Sequence, residues 1–433
     1  MTALEPDDVL TKGRLIRVGV MAALVSRIFG RLVGIILVIV LARVADPVTV
    51  ALYGFLLGTV TLMASVTDLG VASLAGRDVA ARVLAAPEAL RSALGPQSLS
   101  TAVAVVLTCV VAVLAGPAAV DAAVLIPCAV FVVANSMFNL WAEVLRGSGR
   151  VVLEGLLQGV SALLLVTAGS AAVLAGAGIV PLLWIVAGKE LAVLAASAIW
   201  LRPAATRGAG LSFGAAVRRS LWLAVAGTAL VLLWRQGMLL VSSMASTRAL
   251  ADYVVATRLL DATVTLAHTL GIGLFPGIAA LAVDAPDAAR RHVRRYLVAV
   301  LGLSVPLAVL GTVLAEPVTT AIFGDEWRSA VPAVRVLAIV TPVILVAYLL
   351  WFVLLAEQQE RWLFGGAVAG AAVGVGATAV LLAVAPGAAA GAWGTAAGAV
   401  VLAVVLSSRF IQTRRAGRHR RGRSPAEPQP NGS

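Results

Sequence analysis

Twelve apolar runs, each bounded by charge, Gly or Pro, leave this chain little freedom in how it can fold. They lie at about 17–44, 48–74, 97–116, 122–145, 151–175, 178–201, 216–244, 250–282, 296–315, 330–356, 362–384 and 388–411. About 20 apolar residues suffice to carry a helix across a bilayer. Composition agrees, since 61% of the 433 residues are hydrophobic and the mean hydropathy is +1.00, values that belong to a polytopic membrane chain. The expected fold is an all-α membrane protein with about 12 transmembrane helices.

Charge sets the direction of threading. With both termini cytoplasmic, most of the 33 Lys and Arg fall on inner ends and loops. The outer loops then hold only Arg43, Arg248 and Arg328, while Arg27, Arg31, Lys189, Arg235, Arg258 and Arg335 lie within runs. This is the positive-inside pattern of a multi-pass protein of the cell membrane. It accounts for the net charge of +12 without nucleic acid as a partner. The N-terminus begins with acidic residues and lacks a cleavage site ahead of a long first run, so the first helix is expected to be retained.

Six runs precede the loop at 202–215 and six follow it, which leaves both halves in the same orientation. Parallel repeats about an axis along the membrane normal produce this arrangement and place a substrate site between them. ALYGFLLGTVTLMASVTDLGVA (51–72) faintly echoes ADYVVATRLLDATVTLAHTLGIG (251–273), with Tyr53 and Tyr253 in step. The expected division is a cytoplasmic segment 1–16, a six-helix lobe 17–201, an inter-lobe loop 202–215, a second lobe 216–411 and a basic tail 412–433. The tail reads as disordered. It serves either as a solvated inner anchor or as a contact for anionic lipid or a partner.

Charge inside the runs is where function is to be sought. A cation at mid-membrane costs about 2.5–3.5 kcal/mol on insertion scales and usually faces a bundle interior or a wet cavity. In the first run Arg27 and Arg31 share one helical face, with Gly30 and Gly34 beside them and Val25, Phe29, Leu32 and Ile36 opposite. They need either buried acids, for which Asp68, Glu143 and Glu190 are available, or an anionic ligand. Guanidinium groups suit such a ligand, because they stay charged and bind oxygens bidentately.

In the eighth run Arg258, Asp261, Thr265 and His268 form a polar stripe, and Arg258 can pair with Asp261 on the helix. The stripe lines a cavity or forms a buried ion pair. Below it Gly271, Gly273, Pro276 and Gly277 predict a kink or an unwound segment that could bend during gating. Arg235 in the seventh run could close on the same anion. Asn135 and Asn139 share a face of the fourth run, and Lys189 and Glu190 adjoin in the sixth. Adjacent helical residues diverge by 100°, so these last two are expected to have different partners. Asp68 is expected to pair with Arg77 or Arg82. Interhelical hydrogen bonding is the plain reading of each such residue.

Enzyme signatures are absent. There is no H-E-x-x-H, no phosphate-binding loop and no paired aspartates on an inner loop. No metal site is expected, and Cys109 and Cys128 sit in apolar runs where a structural disulfide is improbable. No cofactor is expected; H+ or Na+ coupling would draw on Asp261, Glu190 or Asp68.

Three stretches resemble the oligosaccharide and polysaccharide flippases (Wzx-type) of the multidrug/oligosaccharidyl-lipid/polysaccharide exporter superfamily. They are LARVADPVTVALYGFLLGTVTLMASVTDLGVASLAGRDVA (41–80), RQGMLLVSSMASTRALADYVVATRLLDATVTLAHTLGIGLFPGIAAL (235–281) and AEPVTTAIFGDEWRSAVPAVRVLAIVTPVILVAYLLWFVLLAEQQE (315–360). The resemblance implies a V-shaped, MATE-like bundle of two lobes. It also implies alternating-access flipping of polyprenyl-diphosphate-linked oligosaccharide from the inner to the outer leaflet, for cell-surface polysaccharide synthesis. The substrate's lipid stays among the membrane lipids, and polysaccharide polymerases or glycosyltransferases are candidate partners. Arg27 and Arg31 match the family's cationic first helix, and the resemblance implies that they hold the diphosphate, with Arg235 and Arg258 of the second lobe able to close on it. Gln236 departs from it, because an acidic residue often follows the basic residue of the seventh helix; Asp261 is then the better coupling carboxylate.

Other functions remain open. A cation-coupled drug or small-molecule exporter of the same superfamily would favour acidic cavity residues. A lipid II flippase would carry two further C-terminal helices. A membrane glycosyltransferase or ligase would show a long outer loop or an inner carboxylate motif.

Overall fold

A computed structural model describes residues 34–67, 70–117, 120–204, 213–284 and 286–421, with the backbone alone at 213–220, 223, 272–290 and 413–421. The described residues are helical, with no strand among them. In order the helices are α1 (Gly34–Val44), α2 (Pro47–Thr67), α3 (Val71–Ala80), α4 (Ala86–Ala115), α5 (Ala122–Gly147), α6 (Val151–Leu174) and α7 (Ile179–Trp200). The second half holds α8 (Phe213–Met244), α9 (Thr247–Asp284), α10 (Pro286–Val313), α11 (Ala315–Phe323), α12 (Val331–Ala356), α13 (Glu360–Val384) and α14 (Ala388–Arg421). A 3-10 turn, Asp325–Ala330, precedes α12.

Among the described residues, ten helices are long and apolar enough to cross a membrane. α1 is the described end of the first run, and the 38-residue α9 carries the eighth. The chain is thus a multi-pass all-α membrane protein.

Several features differ from expectation. The second run breaks early: α2 stops at Thr67, and Gly70 adopts φ 77°, a left-handed turn that glycine makes without a Cβ clash. The separate helix α3 then buries Val71, Leu74, Ala75 and Val79 while exposing Arg77. The connection after α10 is no simple loop but α11 and the 3-10 turn. α14 stays helical to Arg421, ten residues past the expected limit of its run and into the tail expected to be disordered; no proline interrupts the stretch, and Gly417 is carried within the helix. α9 runs unbroken through Gly271, Gly273, Pro276 and Gly277, so of the two forms expected there the unwound one is not adopted.

Short connections make sequential helices antiparallel neighbours. The connections at 81–85, 148–150, 201–204 and 357–359 gather at one end of the bundle, here termed the basic end; the α1–α2 and α8–α9 turns lie at the far end. In the first half α5 packs on α3, α4 and α7, and α6 on α7; in the second α13 packs on α8 and α14, and α12 on α9, α10 and α14. The halves meet where α2 lies against α8 and α9.

That seam depends on two glycines. A Cβ at Gly54 would collide with Val254, and one at Gly58 with the thioether of Met238. Residues 54 and 254 also hold matching positions in the internal echo, one step past Tyr53 and Tyr253. Contact between matching positions is what a twofold axis produces.

The far end is bolted shut by side-chain to backbone bonds. Trp327 of the 3-10 turn is fully buried and its indole N–H donates to the Ala42 carbonyl at 3.0 Å. Arg43 donates through Nε to Ile322 O at 2.8 Å, and through Nη2 to Ala321 O. Ser242 on α8 donates to Ala115 O on α4 at 2.7 Å. Arg248 lies 4.8 Å over the Trp327 ring and pairs with Asp252 at 3.3 Å.

Candidate anion site at the seam of the two halves

Asp261 on α9 is the centre of the site. It pairs with Arg235 of α8 through Oδ1 at 3.0 Å and with Arg258 of its own helix through Oδ2 at 3.2 Å. The three side chains are 16%, 11% and 21% exposed for Arg235, Arg258 and Asp261, so the group is sheltered but reachable by water. Among the described residues two guanidiniums share one carboxylate, leaving a positive excess.

Helical geometry aims this excess at the other half. Arg235 lies one turn from Met238, and Arg258 one turn from Val254, the two residues that meet Gly58 and Gly54 of α2. The charges therefore sit just inside the seam, on its basic-end side. Arg258 Nε also donates to Val254 O at 3.2 Å, fixing its orientation. Thr265 Oγ1 donates to the backbone O of Asp261 at 2.6 Å.

The stripe ends against an aromatic wall. His268 meets Tyr348 and Phe352 of α12 edge-on at 6.3 and 5.6 Å. The Trp234 indole donates to the Tyr348 hydroxyl at 3.0 Å. A Cβ at Gly271 would collide with the Phe352 ring, so this glycine is needed for close packing whether or not it bends. The wall escaped the sequence reading. Trp234 beside Arg235 was its one visible sign.

The first half is arranged differently. Lys189 and Glu190 pair with each other despite their 100° divergence, which corrects the expectation of separate partners. The long lysine stem bends round the helix, and a low dielectric rewards the nearest carboxylate. Lys189 also donates to Ser161 at 3.3 Å and lies 5.8 Å from the Phe131 ring centre. Asn139 donates to Asn135 at 3.1 Å on the same helix. Glu143 pairs with Arg146 at 3.0 Å. Two of the three acids available to Arg27 and Arg31 thus have other partners; those arginines and Asp68 lie outside the described residues.

Gln236 is buried and donates to Thr395 at 3.3 Å, while its Oε1 has no partner among the described residues. No carboxylate occupies that place. No group of three or more His, Cys, Asp or Glu among the described residues could hold a metal ion, and both cysteines are free.

Residues 16–282 match the family described as polysaccharide biosynthesis protein. The chain belongs to that family. Solved structures give this member of the family its fold relatives. An inward-facing multidrug resistance MATE family transporter of the MOP superfamily matches with TM-score 0.72 at 12% identity, covering 91% of this chain and 96% of that one. The lipid II flippase MurJ in an inward closed conformation also gives 0.72 at 12% identity, over 89% and 86%. An outward-facing MATE transporter gives 0.65 at 12% identity, over 92% and 96%. No curated protein sequence matches. The family and the neighbours place the chain among membrane transporters and flippases of the MOP superfamily.

Proposed function

We propose that this protein is a flippase moving polyprenyl-diphosphate-linked oligosaccharide from the cytoplasmic to the outer leaflet of the cell membrane, and that it catalyses no covalent step. The carrying observation is the pair of arginines sharing Asp261 at the seam. An unbalanced cationic pair between two halves suits a headgroup with several negative oxygens, and planar guanidinium forks hold such oxygens bidentately. Family membership supports a polysaccharide pathway.

In this reading the halves are two six-helix lobes related by an axis running past Gly54 and Val254. The basic end is cytoplasmic. The bolted far end and the higher likeness to the inward-facing MATE transporter than to the outward-facing one fit a state that accepts substrate from inside. Arg235 and Arg258 bind the diphosphate from the second lobe while Arg27 and Arg31 approach from the first. Asp261 acts as a placeholder anion, taking back both forks when the diphosphate leaves so that the empty site holds less uncompensated charge. It is also the carboxylate for H+ or Na+ coupling.

The test uses proteoliposomes carrying a polyprenyl-diphosphate-linked glycan, with flipping read as exposure of the sugar to an external lectin. Arg235→Gln with Arg258→Gln should abolish flipping while the protein still purifies as a folded species. Flipping at the parental rate by that variant overturns the proposal. A glycan-free cationic drug carried in its place favours the exporter reading.

A further inference from the structure

We infer that the basic end of α10 carries a binding site for one anionic phospholipid, separate from the seam. A cavity of about 460 Å³ opens there, lined among the described residues by Arg291, Arg294, Arg295, Val298 and Ala299. That volume lies within the range of small-molecule sites, about 300–1,000 Å³. The five residues fall at i, i+3, i+4, i+7 and i+8, so they share a single helix face about 12 Å long. The face is two-toned, with three guanidiniums at the end of the bundle and apolar side chains below them.

Arg291, Arg294 and Arg295 make no ion pair or side-chain hydrogen bond among the described residues, unlike Arg235 and Arg258 at the seam. Three cations with no partner among the described residues suit an anion from outside the chain. The surface beneath specifies what kind. Val298, Val305 and Val309 continue along the same face and are 64%, 48% and 60% exposed, giving an apolar track directly below the arginines. A phosphate headgroup with its tails running down that track matches both halves of the site, whereas free phosphate matches only the upper one. The location argues against the transported substrate, because α10 packs on α9, α11 and α12, while the seam is formed by α2 with α8 and α9. A membrane phospholipid is present at high local concentration beside such a helix, and juxtamembrane arginines attract anionic headgroups by about 1 kcal/mol each.

The experiment follows thermal unfolding of the detergent-solubilised full chain with dioctanoyl phosphatidylglycerol, dioctanoyl phosphatidylcholine, inorganic phosphate or farnesyl diphosphate. Phosphatidylglycerol should raise Tm saturably; phosphatidylcholine and inorganic phosphate should not. Arg291→Gln, Arg294→Gln and Arg295→Gln together should weaken the response about a hundredfold, and each singly about fivefold. The singles decide the matter if the triple variant fails to fold. Arg77→Gln, Arg82→Gln and Arg91→Gln, which remove equal charge from the first half at the same end, should leave the response intact. An equal response to phosphatidylcholine overturns the site as an anion site. An equal response to phosphate makes it a free-anion site, and displacement of phosphatidylglycerol by farnesyl diphosphate at lower concentration makes it a substrate site; either overturns the inference. So does an unchanged response in the single variants. None of these readouts depends on flipping, so the inference and the proposed transport fail separately.

Discussion

Among the described residues each half of the protein holds charge within its spans, and the two handle it in opposite ways. In the first, Lys189 and Glu190 cancel one another, with Ser161 and the Phe131 ring completing the shell. In the second, Asp261 is shared by Arg235 and Arg258, and a positive excess faces the seam. A neutral pair can be dispensed with if both members go, since its desolvation cost roughly offsets its attraction. An unequal cluster has a further use, because its unmatched charge can be satisfied by something that comes and goes.

The largest effect should separate the clusters by transport. Arg235→Gln with Arg258→Gln should lower flipping at least a hundredfold, whereas Lys189→Met with Glu190→Gln should keep it within a few-fold, both read by lectin access in proteoliposomes. Equal losses would erase the distinction. Stability should reverse the order. Glu190→Gln alone strands the Lys189 ammonium and should cost about 3–5 kcal/mol, more than the Lys189→Met/Glu190→Gln double variant; thermal unfolding of the two measures the gap.

Asp261→Asn sharpens the comparison from the other side. It removes the placeholder and leaves both forks cationic, so binding of a diphosphate analogue should tighten about tenfold while steady-state flipping falls. If flipping and its response to an imposed ion gradient are both unchanged, Asp261 is structural. The smallest effect belongs to a carboxylate outside both clusters. Asp46 precedes Pro47 of α2 and accepts from the Thr49 amide at 2.8 Å and the Thr49 hydroxyl at 2.9 Å, as an N-cap residue does. The amide bond holds its carboxyl below the ordinary 3.8. A lowered folded-state value stabilises the protein above pH 3.8 and loses that stabilisation as pH falls through it. Asp46→Ala should cost under about 1 kcal/mol at neutral pH, since the residue is exposed, and should flatten the acid limb of unfolding without altering transport.

Much of the fold was legible because the signals are local. Each of the third to twelfth apolar runs is occupied by a helix, and Arg258 and Asp261 meet three residues apart on one of them. The misreadings have local and non-local causes. Gly70 ends the second run by adopting a conformation that hydropathy does not register. Lys189 and Glu190 look mismatched on a helical wheel, but side-chain length and low dielectric override the 100° angle.

By itself the sequence determined which segments enter the membrane, which residues are charged there, and which of them share a helix face, since each depends on composition within a few turns. Only the tertiary structure decided that Arg235 reaches Asp261 across two helices, that Gly54 meets Val254, and that Trp327 binds the Ala42 carbonyl 285 residues away. The physical reason is that helix rotation and depth are set by close packing of side chains drawn from the whole bundle. A one-residue turn of α8 would carry Arg235 100° away from its carboxylate without changing a single local signal.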